Sequence, residues 1–356
     1  MGESKSSNTL LPTLSVLVNN YNYARFIGEA LEAILNQSYR PSEVIVVDDA
    51  SIDNSVEIIQ QFVKRDPIVH LVKNEKNMGI FYNLNKFFSI ASGEYVYFAG
   101  SDDRVLPGFF EKSMKLLARY PEAGVCSSLA YKIDEKGRNK GFFVTPIVST
   151  KGCFISPKRA ILLVNKLDNY IPGQKAIYKR KALDSIGGFI PELNAANDAF
   201  ALKIIVCKYG GCFIPEAFMC MRVIANSYSV RVNKDLDCLK KIWQTMEPLL
   251  TTTYKEFFTK GHVEYCKAML SYKINFLALL DLQDKELNFL KEQIPPKKFL
   301  GKRLFSLIKF TTKLEKLLYY LYTFAYSKRR IYPVIYNRLF RSLHFHILYF
   351  ISKMRR

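Results

Sequence analysis

The sequence predicts an α/β protein with a mostly parallel, Rossmann-like central sheet followed by C-terminal helices. Short apolar runs rich in β-branched residues, at 14–18, 44–47, 68–72 and 94–99, alternate with helical stretches through the first hundred positions. The runs are apolar almost throughout, the pattern of strands covered on both faces, and the helices between them suit parallel crossovers. The first, second and fourth runs each end in a cluster of Asn, Asp or Ser. Open α/β sheets bind ligands at those carboxyl ends.

Each element follows in order. Leu14–Val18 is the first strand, ending in Asn19-Asn20-Tyr21-Asn22, and a helix spans Ala24 to Gln37. Val44–Val47 is the second strand and ends in Asp48-Asp49; a helix runs from Asn54 to Lys64, with Asp53 placed to cap it. Ile68–Val72 is the third strand, Ile80–Ala91 a helix, and Glu94–Ala99 a fourth strand leading into Gly100-Ser101-Asp102-Asp103. Beyond Pro107, a helix over Phe109–Arg119 precedes a strand near Val125–Tyr131 and a hairpin turning at Glu135-Lys136-Gly137. Residues 156–165 and 197–209 read as helices and Cys212–Met221 as extended. From Leu236 to Phe289 the chain reads as helical, with Leu239, Ile242, Met246 and Leu249 at helical spacing, and Pro295-Pro296 marks a boundary.

Charge divides the chain unevenly. Of a formal net +20 over 356 residues, residues 297–356 carry +14, with 15 Lys and Arg against the single acid Glu315. The seven cysteines are odd in number and include no C-x-x-C pair, which argues against a disulfide framework and against a structural zinc site, and for a reducing compartment. His70 and His262 are isolated in sequence and read as structural, and His344 and His346 have no neighbouring Cys or acid. No run of 18 apolar residues is present, and MGESKSSNTL contains no apolar segment of a cleaved secretion signal.

Absent motifs narrow the ligand. The first strand-to-helix turn lacks glycine, so it is not the G-x-G-x-x-G cradle, and there is no P-loop or G-x-S-x-G elbow. A nucleotide bound here needs its phosphates neutralised another way. The carboxylates of Asp102 and Asp103 suit a divalent Mg²⁺ or Mn²⁺, which is held by one or two carboxylates together with substrate phosphates.

LSVLVNNYN (14–22), VIVVDDAS (44–51), NMG (77–79) and YVYFAGSDD (95–103) resemble the nucleotide-binding half of the family 2 inverting glycosyltransferases of GT-A fold, of the type serving bacterial surface polysaccharides. SIGGF (185–189) followed by Asn197-Asp198 resembles the family's acceptor-side segment. The resemblance covers roughly residues 12–225 and implies a nucleotide-sugar donor, UDP-linked, and a saccharide or lipid-linked saccharide acceptor. It implies that Asn20, Tyr21, Asn22, Asp48, Asp49 and Asp102 hold the nucleotide and that Asp103 coordinates the metal. Asp198 is implied as general base, with a helix cap as its rival role. Two positions depart from the family pattern: Gly100 stands where an acid is frequent, and Ile224 where a His is common.

The expected organisation is therefore a catalytic domain over 1–235, a helical extension over 236–296 and a tail over 297–356. In the tail, Leu304, Leu307, Leu314, Leu318 and Leu321 fall on one helical face, and Lys302, Lys309, Lys313 and Lys316 on the other. Two uncharged runs, 317–327 and 342–352, are rich in Tyr, Phe and Leu and bounded by basic residues. They are too short to span a bilayer but suit helices lying in its interface, which places the enzyme on the inner face of the cytoplasmic membrane. Nucleic acid is the rival partner, disfavoured because the aromatics sit in Leu/Ile blocks instead of alternating with phosphate-binding bases. A membrane-bound scaffold of the same fold without turnover is the alternative to an enzyme.

Overall fold

A computed structural model describes residues 12–143, 146–168, 176–225, 227–267 and 270. All belong to the first of two compact units, Met1–Asp281. Strand β1 (Leu14–Asn20) pairs in parallel with β2 (Glu43–Asp48) and β4 (Tyr95–Gly100), and β3 (Val69–Lys73) pairs in parallel outside β2. The sheet continues from β4 through β9 (Ala176–Lys179), β6 (Val125–Ile133) and β10 (Gly211–Arg222) to the short β5 (Arg104–Val105). Strand β7 (Asn139–Phe142) pairs with β6 as the anticipated hairpin, and β8 (Cys153–Ile155) pairs with β10.

Successive side chains of a strand point to opposite faces, and here both sets are apolar. Leu14, Val16, Val18, Val44, Val46, Tyr95 and Tyr97 enter one core, where α1 (Ala24–Leu35), α2 (Ser55–Arg65) and α4 (Phe109–Arg119) cover the sheet with Ile27, Leu31, Ile59, Phe110 and Met114. Leu17, Ile45, Val47 and Val96 enter the opposite core, covered by α3 (Ile80–Ile90), α5 (Pro157–Leu167) and α7 (Asn197–Tyr209). A short α6 (Arg180–Asp184) follows β9. The two-sided cover is what forces near-continuous apolar strands.

Helix α7 is buried on nearly every side, from Phe200 to Cys207. The core it enters extends to α9 (Leu236–Pro248) and the segment after it, through Trp243, Met246, Leu250 and Phe258, and Phe200 meets Tyr254 edge-on. Between α7 and α9 lies the short α8 (Tyr228–Val232), and α9 is capped by Asp235, whose carboxylate accepts from the Asp237 and Cys238 amides. Within the helical stretch anticipated from 236 onwards, Pro248 closes α9, a π turn follows over Leu249–Thr253, and helix resumes at 260. Proline supplies no amide for the next turn of the ladder.

Other departures are local. Helix α1 stops at Leu35, and Gln37 turns its side-chain amide onto the Ala33 and Leu106 carbonyls. Strand β9 was not anticipated; four residues are too few to register as a strand, yet it lies antiparallel between β4 and β6. No helix among the described residues is long and apolar enough to cross a membrane. The basic tail over 297–356, with its membrane-facing reading and its histidines His344 and His346, lies outside the described residues.

Candidate active site

At the carboxyl ends of β1 and β2 the polar clusters interlock. Asn20 donates to Asp48 Oδ2 at 2.8 Å, and Asp48 in turn accepts from the Ser51 amide at 3.0 Å and its hydroxyl at 2.7 Å. Ser51 Oγ accepts from the Asn22 amide, and Asn22 Oδ1 accepts from the Ile52 amide at 2.8 Å. Asn22 reaches φ 57°, a left-handed conformation that Asn tolerates because its short side chain can bond locally. Asn54 takes the cap position of α2 in place of the expected Asp53. Asp53 sits one residue earlier, and its carboxylate accepts from Ser55 at the start of α2 and from the Ala24 amide at the start of α1. Burial raises its carboxyl, but these hydrogen bonds outweigh burial and hold the pKa below the ordinary value.

Asp49 is only 2% exposed and organises the loop before α3. Oδ1 accepts from Asn74 at 2.7 Å and from the Met78 amide at 2.8 Å, while Oδ2 accepts from the Gly79 amide at 2.9 Å. The NMG motif thereby gains a reason. Gly79 enters α3 at φ 83°, a conformation costly for any residue with a Cβ. From Asn74 the network continues to buried Asn83 and on to Asn19.

Asn19 opens onto a cleft of about 290 Å³. Its floor is the β4 end, Ala99 to Asp103, and its walls include Tyr23, Tyr178, Phe189, Asp198, Arg222 and Tyr228. Phe98, Tyr178 and Phe189 form an aromatic base, with Phe98 edge-on to Phe189 at 5.2 Å between centroids. Among the residues chosen from sequence, the cleft brings adjacent Asp102 and Asp103 together with Asp198, which is distant in the chain. Asn20, Tyr21, Asn22, Asp48 and Asp49 stand behind or beside it, with Asn20 and Asp48 buried and Tyr21 exposed.

Two residues that the sequence did not single out shape the acidic end. Arg222 donates its amide to Asp103 Oδ1 and its Nε to the Asp102 carbonyl, both at 2.8 Å. Its guanidinium also bonds Glu29 and the Asp134 and Glu135 carbonyls, and stacks on Phe26. Tyr23 faces the same acids: burial, then the charge of Asp102, raises its phenol pKa. The only sequence signal for Arg222 was its place in the segment where Ile224 replaces a histidine.

Gly100 explains its own departure from the family pattern. A methyl carbon placed on it would lie 2.9 Å from Asp102 Oδ1 and 3.3 Å from Asp103 Oδ2. The bare Cα therefore lets both carboxylates occupy one shared space beside the cleft. Two hard oxygen donors converging in that way fit a divalent cation of the Mg²⁺ or Mn²⁺ kind.

On the other wall, Asp198 lies within the first turn of α7, and Ala196 occupies the cap position instead. The cap role for Asp198 is thus corrected. Its Oδ1 accepts from the next amide, Ala199, at 2.8 Å, and an acid in the first turn is favoured by the helix dipole. The neighbouring Asn197 side chain is bonded to both the amide and the carbonyl of Ile190. Burial, and then the charge of Asp198, push the Tyr178 phenol well up.

Residues 15–187 match the model of the glycosyl transferase family 2. This stretch is a family 2 glycosyl transferase domain. Over 132 residues the chain is 36% identical to glycosyltransferase GlyG of Streptococcus pneumoniae serotype 4, covering 37% of this chain and 44% of that protein. Over 106 residues it is 36% identical to the putative teichuronic acid biosynthesis glycosyltransferase TuaG of Bacillus subtilis, covering 30% of this chain and 42% of that one. The match thus spans less than half the length of these curated relatives. The mannosyltransferase PcManGT of Pyrobaculum calidifontis, solved with GDP-Man and Mn²⁺, shares the fold with a TM-score of 0.55 at 19% identity, over 89% of this chain and 85% of that one. S. aureus TarS 1-349, solved with UDP-GlcNAc, matches with a TM-score of 0.50 at 17% identity, over 67% of this chain and 73% of that one. The glycosyl transferase domain here has the GT-A fold, with its mostly parallel sheet and C-terminal helices.

Proposed function

We propose that this protein transfers a sugar, with inversion, from a UDP-sugar to a saccharide or lipid-linked saccharide in surface polysaccharide biosynthesis. One observation carries the reading: Asp102 and Asp103 at the β4 end and Asp198 at the α7 start face the same cleft. A single displacement needs that arrangement, with leaving-group stabilisation on one side and a base for the incoming hydroxyl on the other.

Asp103, with Asp102 beside it, would hold a Mn²⁺ or Mg²⁺ ion, which when bound offsets the charge developing on the leaving diphosphate. Arg222 aims Asp103 by occupying one of its oxygens with a backbone amide. Asp198 accepts the proton from the acceptor hydroxyl as that oxygen attacks the anomeric carbon. Protonated Tyr178, beside it, keeps a neutral dipole near the base. Asn20, Asn22, Asp48 and Asp49 serve the nucleotide through the two loops they hold, and exposed Tyr21 lies between them.

Relatives named for glycosyl transfer and teichuronic acid synthesis support the pathway class. The basic, aromatic tail supports work at an anionic membrane surface, since each Lys or Arg near such a surface contributes about 1 kcal/mol. The test is a panel of UDP- and GDP-sugars with Mn²⁺, read by thermal shift and by release of nucleoside diphosphate. One UDP-sugar should raise the melting temperature and be slowly hydrolysed, because a ligand of the folded state stabilises it. Failure of every donor to bind or turn over, with Mn²⁺ or Mg²⁺, would overturn the reading. Sedimentation with anionic vesicles, with and without residues 297–356, tests the location; equal partition of both forms counts against it.

A further inference from the structure

A second cluster of chemistry-bearing side chains lies outside the cleft. Lys203 is only 9% exposed in the middle of buried α7, and a cation there needs a partner. It finds Asp168, just past the end of α5, with Nζ 2.5 Å from Oδ1. Around that same oxygen stand two residues of the helix over 260–267: His262, which is 2% exposed, and Cys266 one turn later. His262 therefore is not isolated, as its sequence context implied.

The three separations have a common meaning. Cys266 Sγ lies 3.4 Å from His262 Nε2, His262 Nε2 lies 3.7 Å from Asp168 Oδ1, and Cys266 Sγ lies 3.9 Å from Asp168 Oδ1. A point equidistant from three atoms so spaced is about 2.1 Å from each, against bonds of roughly 2.0–2.3 Å from zinc to nitrogen, oxygen and sulfur. Ordinary packing would not require a thiol, an imidazole and a carboxylate to present their donor atoms to one point. The i, i+4 spacing puts the His and Cys on one helical face, and Asp168 closes the triangle at φ 62°, a left-handed backbone unusual outside glycine.

We infer that Asp168, His262 and Cys266 form a binding site for Zn²⁺ or a similar borderline transition ion, with a fourth position left to water. The ligand set mixes one soft thiolate, one imidazole and one carboxylate, a donor set that suits zinc better than Mg²⁺. Lys203 is the built-in competitor. Without metal it neutralises Asp168; an ion must displace its hold on Oδ1, leaving the second carboxylate oxygen for the lysine. The bound ion would tie the end of α5 to the helix at 260–267. The sequence, lacking a C-x-x-C pair, argues against a structural zinc site, but no such pair is needed for a site assembled from two distant segments.

The experiment uses the full chain, stripped with chelator and titrated with Co²⁺ as a spectroscopic stand-in for Zn²⁺. One equivalent should produce a thiolate-to-cobalt charge-transfer band, displaced by Zn²⁺. Cys266→Ser should abolish the band and His262→Gln should weaken binding at least tenfold, while Asp103→Asn, at the other site, should leave it unchanged. Lys203→Gln should tighten binding several-fold. No band, or a band that survives Cys266→Ser, overturns the inference. Far-ultraviolet circular dichroism and melting of each variant verify folding, and the conservative Cys266→Ser keeps the test valid if His262→Gln unfolds. The readout requires no turnover, so it stands or falls separately from the proposed transferase activity.

Discussion

Asp103 and Arg222 are 119 residues apart in the chain and hydrogen-bonded at the rim of the cleft. The Arg222 amide donates to Asp103 Oδ1, and its Nε donates to the carbonyl of neighbouring Asp102. An edge of β10 thereby sets where the β4 acids point. Arg222→Met should lower unfolding free energy by about 1–3 kcal/mol, below the full cost of breaking a buried pair, because Glu29 is 39% exposed and keeps its bond to Arg104. Urea melts measure this. The same variant keeps the backbone amide on Asp103 and removes the Nε bond to the Asp102 carbonyl, so it should need modestly more Mn²⁺ for half-maximal activity. An unchanged requirement would show that the Arg222 side chain serves stability alone.

Asp198→Asn preserves shape and removes the base. Turnover should fall at least about 100-fold, in line with the usual contribution of a positioned base. Donor binding, followed by thermal shift, should be nearly unaffected. A variant with wild-type turnover would remove Asp198 from the mechanism.

Gly100→Ala probes the shared space between the two acids. The added methyl would meet Asp102 Oδ1 at 2.9 Å, and that carboxylate must rotate away. We expect roughly 10-fold weaker Mn²⁺ activation, comparable to disturbing a metal's supporting groups. The melting temperature should barely move, since the yielding atom ends a flexible side chain. A Mn²⁺ titration matching wild type would show that Asp102 orientation does not matter.

Asp49→Asn replaces an acceptor-only group with one that presents an amide to the loop. Either the Gly79 or the Met78 amide must lose its partner, at a cost of about 1–3 kcal/mol. The donor KM should rise more than kcat falls, because the loop before α3 serves binding. Equal KM values in the two proteins would confine Asp49 to a packing role.

Asp53 predicts a pH dependence. Its folded pKa lies below the ordinary value, so its stabilisation is present in full above about pH 4 and fades as pH falls through the folded value. The melting-temperature gap between wild type and Asp53→Ala should therefore be constant from pH 8 to 5 and narrow on further acidification. A gap that widens in acid would contradict the role of the Asp53 bonds that join the starts of α1 and α2.

What the sequence determined by itself was local or periodic. β-Branched runs such as Val44–Val47 specify strands through their own sterics, and Ile27, Leu31 and Ile34 specify a helix through spacing alone. The acids at strand ends were legible because the carboxyl edge of such a sheet is the binding edge whatever its decoration. Only the tertiary structure decided which of those acids share a cleft. It set Asp102, Asp103 and Asp198 together, turned Asp49 inward to the 77–79 loop, inserted the four residues of β9 mid-sheet, and joined Arg222 to Asp103 and His262 to Asp168. Each of these depends on segments tens of residues apart meeting at angstrom precision. Such meetings are set by how helices and strands pack together, and no window of sequence contains both partners.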